Sequence, residues 1–443
     1  SLNDGHLWGW GCEGIRLGIH WFAMELKDTQ LNQIFYVSFN QDATCFVCGT
    51  AAGFRVFNTD PFKLVARRDM EGCGGLGLVC MFWRTNLTSF VGSATQAAAG
   101  YEPRKVILWD DADQRVVAEL QYPRIVRAVR MTQAAVVVAI DRRIFIHRCK
   151  DLATADHIDT IDANCPALVS TSLENDQGRM VLSCRGMQTG EVLLAFYDSA
   201  VNRVRSKIIA AHDTTVVHLS LAPGGQLIAT ASDKGTIIRV FNTTSGQLLY
   251  RFRRGADRAE IYSIAWHPQC HFLAVTSDKS TVHVFHVPDA GGARQSSGFP
   301  TVPLPASSQS FTGGLCPEPS RVSLNKVHPL KFLGSLVPGY FFSEWSFAKF
   351  SVPDFTCICA FSPRDPACII TLCADGQYFK THIDASGKAV SKARYRFDDQ
   401  HATLNVEDYA SFAPDAIPAA VSFTEGSRGG SVRESRQTQS FFG

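Results

Sequence analysis

Two adjacent arginines followed by a glycine, Arg253-Arg254-Gly255, are the residues of this chain best suited to bind an anion. A guanidinium is planar and can hold two phosphate oxygens at once. If Phe252 to Arg254 is extended, the two arginine side chains leave on opposite faces, so one dipeptide could serve two anion sites. The alternative is a cationic turn in solvent, where most charged side chains lie. The flanking sequence has to decide between them.

That flanking sequence repeats a pattern of three short strands. Ile34 to Asn40, Cys45 to Gly49 and Gly53 to Asn58 show the pattern first, with polar turns between the strands. It returns from Val217 to Asn242 and again from Ile261 to Phe285. Repetition of a meander of this kind indicates a fold built from similar sheets.

The spacing of the repeats is that of a β-propeller. Phe241 and Phe285, which end equivalent strands, are 44 positions apart, and four-stranded blades repeat about every 40 to 45 residues. An aromatic residue on the third strand can be assigned to each of seven blades: Phe57, Trp109, Phe145, Tyr197, Phe241, Phe285 and Tyr378. The sequence therefore predicts an all-β fold, a seven-bladed β-propeller with four-stranded antiparallel blades.

Three segments do not fit the repeat. The propeller is predicted to span 31–400. Residues 1–30 are predicted to be an N-terminal extension and 401–443 a flexible tail. The gap between Phe285 and Tyr378 exceeds one repeat, which predicts an insertion at 288–344, where Gly, Ser and Pro are frequent. Trp345 to Phe350 is then expected to restart the strands.

Composition narrows the function. The net charge of +2 gives no global attraction to nucleic acid, so we expect no nucleic-acid partner and only local anion sites. Fourteen cysteines in 443 residues are too few for a disulfide scaffold, which predicts reduced and largely buried thiols. No run of about 18 apolar residues occurs. Any membrane contact is therefore expected to be peripheral.

Two motifs that look like binding sites are interpreted as structural. Gly72 to Gly77 has the glycines of a dinucleotide-binding loop but does not join a strand to a helix, and we predict a turn between blades. Cys45 and Cys48 have no second cysteine pair at zinc spacing, so a buried strand is expected. No nucleophile elbow or acidic cluster is present, and the sequence predicts no enzyme activity, cofactor or metal.

The arginine pair in its repeat context resembles the PROPPIN family. Phe252-Arg253-Arg254-Gly255 lies between the predicted blades five and six and is followed by Ile261-Tyr262-Ser263-Ile264. The resemblance extends from about Ile34 to Tyr395. Around Arg253 to Phe285 the sequence looks most like that of plant and algal members. The resemblance includes these segments: Gly74 to Gly77, Lys105 to Asp111, Thr230 to Phe241, Ser277 to Phe285 and Ser343 to Phe350.

The resemblance implies a function at membranes. Members of this family bind phosphatidylinositol 3-phosphate and 3,5-bisphosphate as peripheral proteins in autophagosome formation and endolysosomal traffic, where they recruit other proteins. For this chain it implies a cytosolic protein found on preautophagosomal, endosomal or vacuolar and lysosomal membranes. The implied partner is an autophagic lipid-transfer protein or the lipid-conjugation machinery. The alternative is a generic WD40 scaffold that binds only proteins. The preference between mono- and bisphosphate stays open.

The resemblance also implies two lipid-headgroup sites, one on each side of the arginine pair. The first site would contain His212, Thr230, Ser232, Thr236, Arg239 and Arg253. The second would contain Arg254, Gly255, Ser277, Thr281 and His283. Hydroxyl groups can donate to phosphate without adding charge, although each hydroxyl or histidine taken singly is more often structural. If the histidines contact phosphate, binding should strengthen as the pH falls through the histidine range.

The predicted insertion offers a second contact with a bilayer. Leu330, Leu333 and Leu336 fall at helical spacing with Phe332 nearby, and these four residues are predicted to enter the membrane interface. The alternative is a loop folded back on the propeller, because Pro329 and Pro338 leave room for little more than two helical turns.

Overall fold

The computed structural model describes residues 34–95, 100–160, 168–175, 178–288, 325–327 and 343–397. These residues form 30 strands and no helix, and the strands make seven sheets. Within the described part of the chain there is accordingly no helix long and apolar enough to cross a bilayer. The fold is a seven-bladed β-propeller with four-stranded antiparallel blades, which confirms the prediction.

Blades one to four each use four consecutive strands. Blade one contains β1 (Ile34–Phe39), β2 (Cys45–Thr50), β3 (Gly53–Asn58) and β4 (Lys63–Asp69). Blade two contains β5 (Leu76–Met81), β6 (Leu87–Gly92), β7 (Lys105–Asp110) and β8 (Arg115–Gln121). Blade three contains β9 (Val126–Met131), β10 (Ala135–Ile140), β11 (Arg143–Arg148) and β12 (Thr154–Asp159). Blade four contains β13 (Val169–Thr171), β14 (Met180–Arg185), β15 (Glu191–Tyr197) and β16 (Arg203–Ala210).

The remaining blades include the strands that flank the insertion. Blade five contains β17 (Val216–Leu221), β18 (Leu227–Ser232), β19 (Ile237–Asn242) and β20 (Leu248–Arg253). Its sheet is extended by β25 (Glu344–Trp345) and β24 (Lys326–Val327). Blade six contains β21 (Ile261–Trp266), β22 (Phe272–Ser277), β23 (Thr281–His286) and β26 (Ala348–Ser351). Blade seven contains β27 (Cys357–Phe361), β28 (Cys368–Cys373), β29 (Gln377–Ile383) and β30 (Ala389–Arg396).

Strand composition follows the position of each strand within its blade. Five of the second strands are buried along their whole length, as in Ala135-Val-Val-Val-Ala-Ile140 of β10, because both faces of a blade pack on neighbouring blades, and β6 and β14 each have one half-buried residue. The fourth strands lie at the outer edge of their sheets except in blade five, where β25 pairs with β20, and β4 alternates between exposed and half-buried residues. The predicted turn at Gly72 to Gly77 joins β4 to β5 and so connects two blades, and Cys45 and Cys48 are buried in β2, both as predicted. The eleven cysteines in the described residues are all free thiols.

The aromatic residues assigned to the blades are all on third strands, but two occupy other positions than expected. Phe57, Trp109 and Phe241 are the last residue but one of their strands, whereas Phe145 is the third residue of β11 and Tyr378 the second of β29. The assumption of one equivalent position is therefore wrong for blades three and seven. In blade seven the reason is packing, because Tyr378 meets blade one.

Side chains close the ring between blades seven and one. Phe46 of blade one packs in one cluster with Tyr378 and Phe397 of blade seven. The Tyr378 hydroxyl donates to the carbonyl oxygen of Thr59 at 2.8 Å, and the Lys380 ammonium lies 2.7 Å from a carboxylate oxygen of Asp60. Each of these blades is built from its own consecutive strands, so apolar packing and a few polar bonds hold them together.

Tyr378→Phe should lower the free energy of unfolding by about 1 kcal/mol, because it removes one buried hydrogen bond and leaves the Thr59 carbonyl without that donor. The ring itself is retained, so the apolar packing should not change. Urea denaturation of both proteins measures the difference. Tyr395→Phe is the control, since its ring lies 5.5 Å from that of Tyr378 but its hydroxyl makes no hydrogen bond within the described residues. Equal stability of the two variants would contradict the closure role.

The chain returns from the predicted insertion to two blades. Trp345 to Phe350 was expected to restart the strands as one segment, but Trp345 belongs to β25 in blade five and Ala348 begins β26 in blade six. The expectation is corrected because β25 pairs in parallel with β20, which ends at Arg253. The rest of the insertion, the predicted extension and the predicted tail lie outside the described residues, as do Leu330, Phe332, Leu333 and Leu336.

Candidate anion-binding site

The arginine pair lies at the outer end of blade five and is buried. Arg253 ends β20, and the Arg254 N–H continues the ladder by donating to the carbonyl oxygen of Thr236 at 2.9 Å. Only 2% of Arg253 and 4% of Arg254 is exposed. Arginine is rarely buried to this extent unless its guanidinium has partners. An exposed cationic turn, the alternative considered from the sequence, is not what the chain forms.

Arg253 packs against the end of the insertion. Its Nε donates to the Ser343 hydroxyl at 2.8 Å, and its Nη1 lies 3.4 Å from the carbonyl oxygen of Gly255. The guanidinium carbon is 5.8 Å from the centre of the Trp345 ring, within the range of a cation–π contact. This arginine therefore links blade five to the residues with which the chain returns from the insertion.

Arg254 is held by backbone carbonyl groups on its other side. Its Nε donates to Gly235 at 2.8 Å and its Nη2 to Asp257 at 2.6 Å. Gly235 has a φ of +60°, and a Cβ there would lie 1.8 Å from the Ala259 carbonyl oxygen, so only glycine fits this turn. Burial lowers the pKa of Arg254, while Asp278 and Asp257 oppose that shift. The guanidinium stays charged at neutral pH.

A cavity of about 540 Å³ opens beside Arg254. Three cationic side chains and one carboxylate lie on its wall, together with hydroxyl groups and aromatic rings. The lining residues are Arg254, Gly255, Ala256, Asp257, Lys279, Thr281, His283, Trp345, Ser346, Phe347, Lys349 and Gly387. The volume is within the range of small-molecule sites, roughly 300 to 1,000 Å³. An excess of positive charge makes it suitable for a polyanion.

His283 supplies a neutral polar group to this cavity. Its Nε2 lies 3.3 Å from the Thr281 hydroxyl and its Nδ1 lies 3.2 Å from the Ser346 hydroxyl. Burial, with Arg254 and Lys349 nearby, lowers the pKa of His283 to about 4. The imidazole is therefore neutral in the unliganded protein across the ordinary histidine range. The positive charge of the cavity comes from the arginine and the lysines.

The first predicted set forms a smaller network on blade five. His212 Nε2 lies 2.9 Å from the Thr230 hydroxyl, which also lies 3.3 Å from the carbonyl oxygen of Arg239. The Arg239 guanidinium donates to the Ala211 carbonyl at 2.7 Å and lies 3.7 Å from Asp213. Burial, and then Arg239, lower the pKa of His212 to about 4. Thr230 is 0% exposed, so it orients His212 and does not face solvent.

Other predicted members support the turns that carry these groups. The Ser277 hydroxyl accepts from the Lys279 N–H at 3.4 Å, and the Ser232 carbonyl accepts from the Gly235 N–H at 2.9 Å. Both serines are buried. Arg253, placed in the first set, contacts Ser343 and Trp345 at the end of the insertion and the carbonyl oxygen of Gly255. The structure thus groups four predicted residues around the cavity: Arg254, Gly255, Thr281 and His283. A separate network on blade five contains His212, Thr230 and Arg239.

Sequence reasoning missed eight residues of the cavity wall: Ala256, Asp257, Lys279, Trp345, Ser346, Phe347, Lys349 and Gly387. Lys279 carried a signal, because Ser277-Asp278-Lys279 repeats Ser232-Asp233-Lys234 of the preceding blade. Lys349 lies directly opposite His283 in the pairing of β23 with β26. That register spans the insertion, and no local pattern predicts it.

A separate polar group on blade seven is explained by its own hydrogen bonds. The atoms that could bind a metal ion lie within 4.8 Å of one another in three of its residues: Asp365, Cys368 and His382. The Cys368 thiol donates to the Asp365 carboxylate at 3.0 Å, and Asp365 also accepts from the Ala367 N–H at 3.1 Å. We interpret this group as a stabilised turn.

Several known proteins are similar to this chain. The PROPPIN family model matches residues 33–300. SVP1-like protein 2 of Pichia angusta is 32% identical over 72% of this chain and 81% of that protein. Autophagy-related protein 18e of Arabidopsis thaliana is 29% identical over 82% of this chain and 88% of that protein. The solved structure of Kluyveromyces lactis Hsv2 with its complete loop 6CD has the same fold, with a TM-score of 0.60 at 21% identity, over 82% of this chain and 99% of that chain. Since the family model matches more than half of its residues, the chain belongs to the PROPPIN family.

Proposed function

We propose that this protein binds phosphoinositides with a 3-phosphate, phosphatidylinositol 3-phosphate and the 3,5-bisphosphate, as a peripheral membrane protein of autophagosome formation and endolysosomal traffic. The observation that carries the proposal is the buried Arg254 guanidinium on the wall of a cationic cavity. A site already held in place loses little conformational freedom when an anion binds.

The chemistry of the cavity suits an inositol phosphate. Arg254, Lys279 and Lys349 offer charged donors to phosphate oxygens, and arginine can hold two of them. Thr281 and Ser346 offer hydroxyl groups, which can pair with ring hydroxyls as donor or acceptor. Charged groups attract any phosphate, whereas the neutral groups favour a polyhydroxylated ring. This combination supports a phosphoinositide over a simple anion.

The network of His212 and Arg239 is proposed as the second, shallower site. The Arg239 side chain is 23% exposed beside the 91% exposed Asp213. A phosphate could therefore displace a weak and solvated ion pair. Two modest sites on one molecule would combine on a membrane through their high effective concentration.

Partner recruitment is the second half of the proposed function. One solved relative, KlAtg21, is in a complex with the coiled coil of AgAtg16, at 20% identity and a TM-score of 0.59. We propose a partner of that kind from the lipid-conjugation machinery, or an autophagic lipid-transfer protein. With either partner, the proposed location of this chain is on preautophagosomal, endosomal or vacuolar and lysosomal membranes. The proposed activity is binding, with no catalytic step.

A vesicle panel separates this function from a scaffold that binds only proteins. Sedimentation with vesicles that each contain one phosphoinositide should show binding to the 3-phosphate and the 3,5-bisphosphate lipids. A protein that ignores every phosphoinositide, while its thermal unfolding shows an intact fold, would favour the protein-only scaffold.

The proposed membrane segment can be tested without disturbing the rest of the insertion. Replacing Leu330, Phe332, Leu333 and Leu336 together by serine should weaken vesicle binding at least tenfold, because each buried leucine or phenylalanine contributes about 1.5 to 3 kcal/mol. Binding of a soluble short-chain headgroup should stay unchanged. A deletion of 300–340 would be less specific, since it removes the buried Asn325. Equal losses for vesicles and for soluble headgroup would contradict membrane insertion.

A further inference from the structure

A buried asparagine joins the two ends of the insertion. Asn325 is 6% exposed. Its Oδ1 accepts from the backbone N–H of His286 at 2.7 Å, and its Nδ2 donates to the carbonyl oxygen of His286 at 2.7 Å and to the Glu344 carboxylate at 2.8 Å. His286 is the last residue of β23, where the chain leaves blade six, and Glu344 begins β25, where it returns.

The geometry uses the whole side-chain amide. An asparagine has one acceptor group and one donor group, and here both meet the backbone of a single residue, as a paired strand would. Removing this pair of hydrogen bonds should lower stability, since the half-buried backbone N–H and carbonyl groups of His286 would each lose a partner. Asn325, His286 and Glu344, which we call the clasp, thus define where the insertion begins and ends.

The clasp is connected to the cavity through two short strands. β24 pairs with β25, with Lys326 opposite Trp345, and β25 pairs in parallel with β20, with Trp345 opposite Arg253. A strand of two residues has little stability of its own and depends on its neighbours. Ser343 precedes this strand and holds Arg253, while Trp345 and Ser346 form part of the cavity wall.

We propose that Asn325 is a positioning residue for headgroup binding: the clasp holds β25 on blade five, and β25 places Trp345 and Ser346 on the cavity wall and Ser343 on Arg253. The inference rests on the proposed function for its ligand. It assigns to the insertion a part in shaping the pocket, in addition to any contact that its apolar residues make with a bilayer. The step from Asn325 to the ligand is indirect, so its test needs a readout of position as well as one of affinity.

Asn325→Ala should weaken binding of soluble dibutanoyl phosphatidylinositol 3-phosphate about fivefold to tenfold in calorimetry, roughly the effect of one lost hydrogen bond. Amide hydrogen exchange of residues 343–347 should become at least ten times faster. Asn325→Asp should behave alike, because a carboxylate cannot donate to the His286 carbonyl and would face the Glu344 carboxylate. Adding Glu344→Gln to Asn325→Asp restores a donor between these two side chains and should recover part of the affinity.

Asn40→Ala is the matched control. Asn40 is also 6% exposed, and three hydrogen bonds of its side-chain amide join it to Thr44, Trp83 and Cys45 in and beside blade one. Its loss should lower the melting temperature by a similar amount but leave headgroup affinity and exchange at 343–347 unchanged.

The outcomes are distinct. Unchanged exchange at 343–347 in Asn325→Ala would overturn the clasp, whether or not any lipid binds. Faster exchange with affinity within twofold of the parent protein would overturn its role in positioning the site. If the parent protein does not bind the headgroup, the proposed function is wrong. The exchange data then test only whether Asn325 holds β25 on blade five.

Discussion

Arg254→Ala should weaken binding of a soluble phosphatidylinositol 3-phosphate headgroup about 100-fold, since a hydrogen bond to a charged group contributes about 1.5 to 3 kcal/mol and a guanidinium can make two. The side chain is already buried and oriented by the carbonyl groups of Gly235 and Asp257, so little ordering opposes the gain on binding. Isothermal titration calorimetry with the short-chain lipid measures the effect.

Two further variants make this result specific. Arg258→Ala removes an arginine four residues later that is 74% exposed and pairs with Asp233, and it should change affinity less than twofold. Arg254→Lys keeps the charge but not the planar pair of donors, and an intermediate loss is expected. Because Arg254→Ala leaves two carbonyl groups without their donors, its folding is checked by thermal unfolding. Full binding by a folded Arg254→Ala protein would contradict the assignment of the cavity.

Lowering the pH from about 6.5 to 4.5 should destabilise the fold by several kcal/mol. Burial lowers the pKa of His218 to about 3, and lowers those of His212, His267 and His283 to about 4. In the unfolded chain these residues regain a pKa of about 6.5, so between the two values the unfolded state binds more protons. Their contribution is complete above about pH 6.5 and is lost as the pH falls.

The size of the effect follows from linkage. A shift of one pKa unit corresponds to about 1.4 kcal/mol, which sets an upper limit of roughly 3 to 5 kcal/mol for each histidine, reduced where solvent reaches the ring. Urea denaturation at pH 7.5, 6.5, 5.0 and 4.5 measures it. A bound phosphate should raise the pKa of His283, so the headgroup should protect the protein more strongly in acid. Equal unfolding free energies at pH 7.5 and 5.0 would contradict the burial of these residues as neutral groups.

The fold could be predicted from the sequence because its signals are local. The strands from Ile34 to Asn58 end within one residue of the predicted limits, since short apolar runs and the polar turns between them are signals that act over a few residues. The repeat from Phe241 to Phe285 set the blade size, and the number of blades followed. The same alternation predicted different surroundings for Arg253 and Arg254. Their hydrogen bonds do differ, since Arg253 donates to the Ser343 hydroxyl whereas Arg254 donates to the carbonyl oxygens of Gly235 and Asp257.

What only the tertiary structure decided depends on which strand lies beside which. Thr230 fits the chemistry of a phosphate site, yet blade packing buries it, and its hydroxyl serves His212. Lys349 reaches His283, and Trp345 lies beside Arg253, only because the chain returns from a long insertion to two different blades. The sequence by itself determined the propeller and its arginine pair. The walls of the pocket are made by pairings between residues far apart in the chain, and local propensity contains no information about that register.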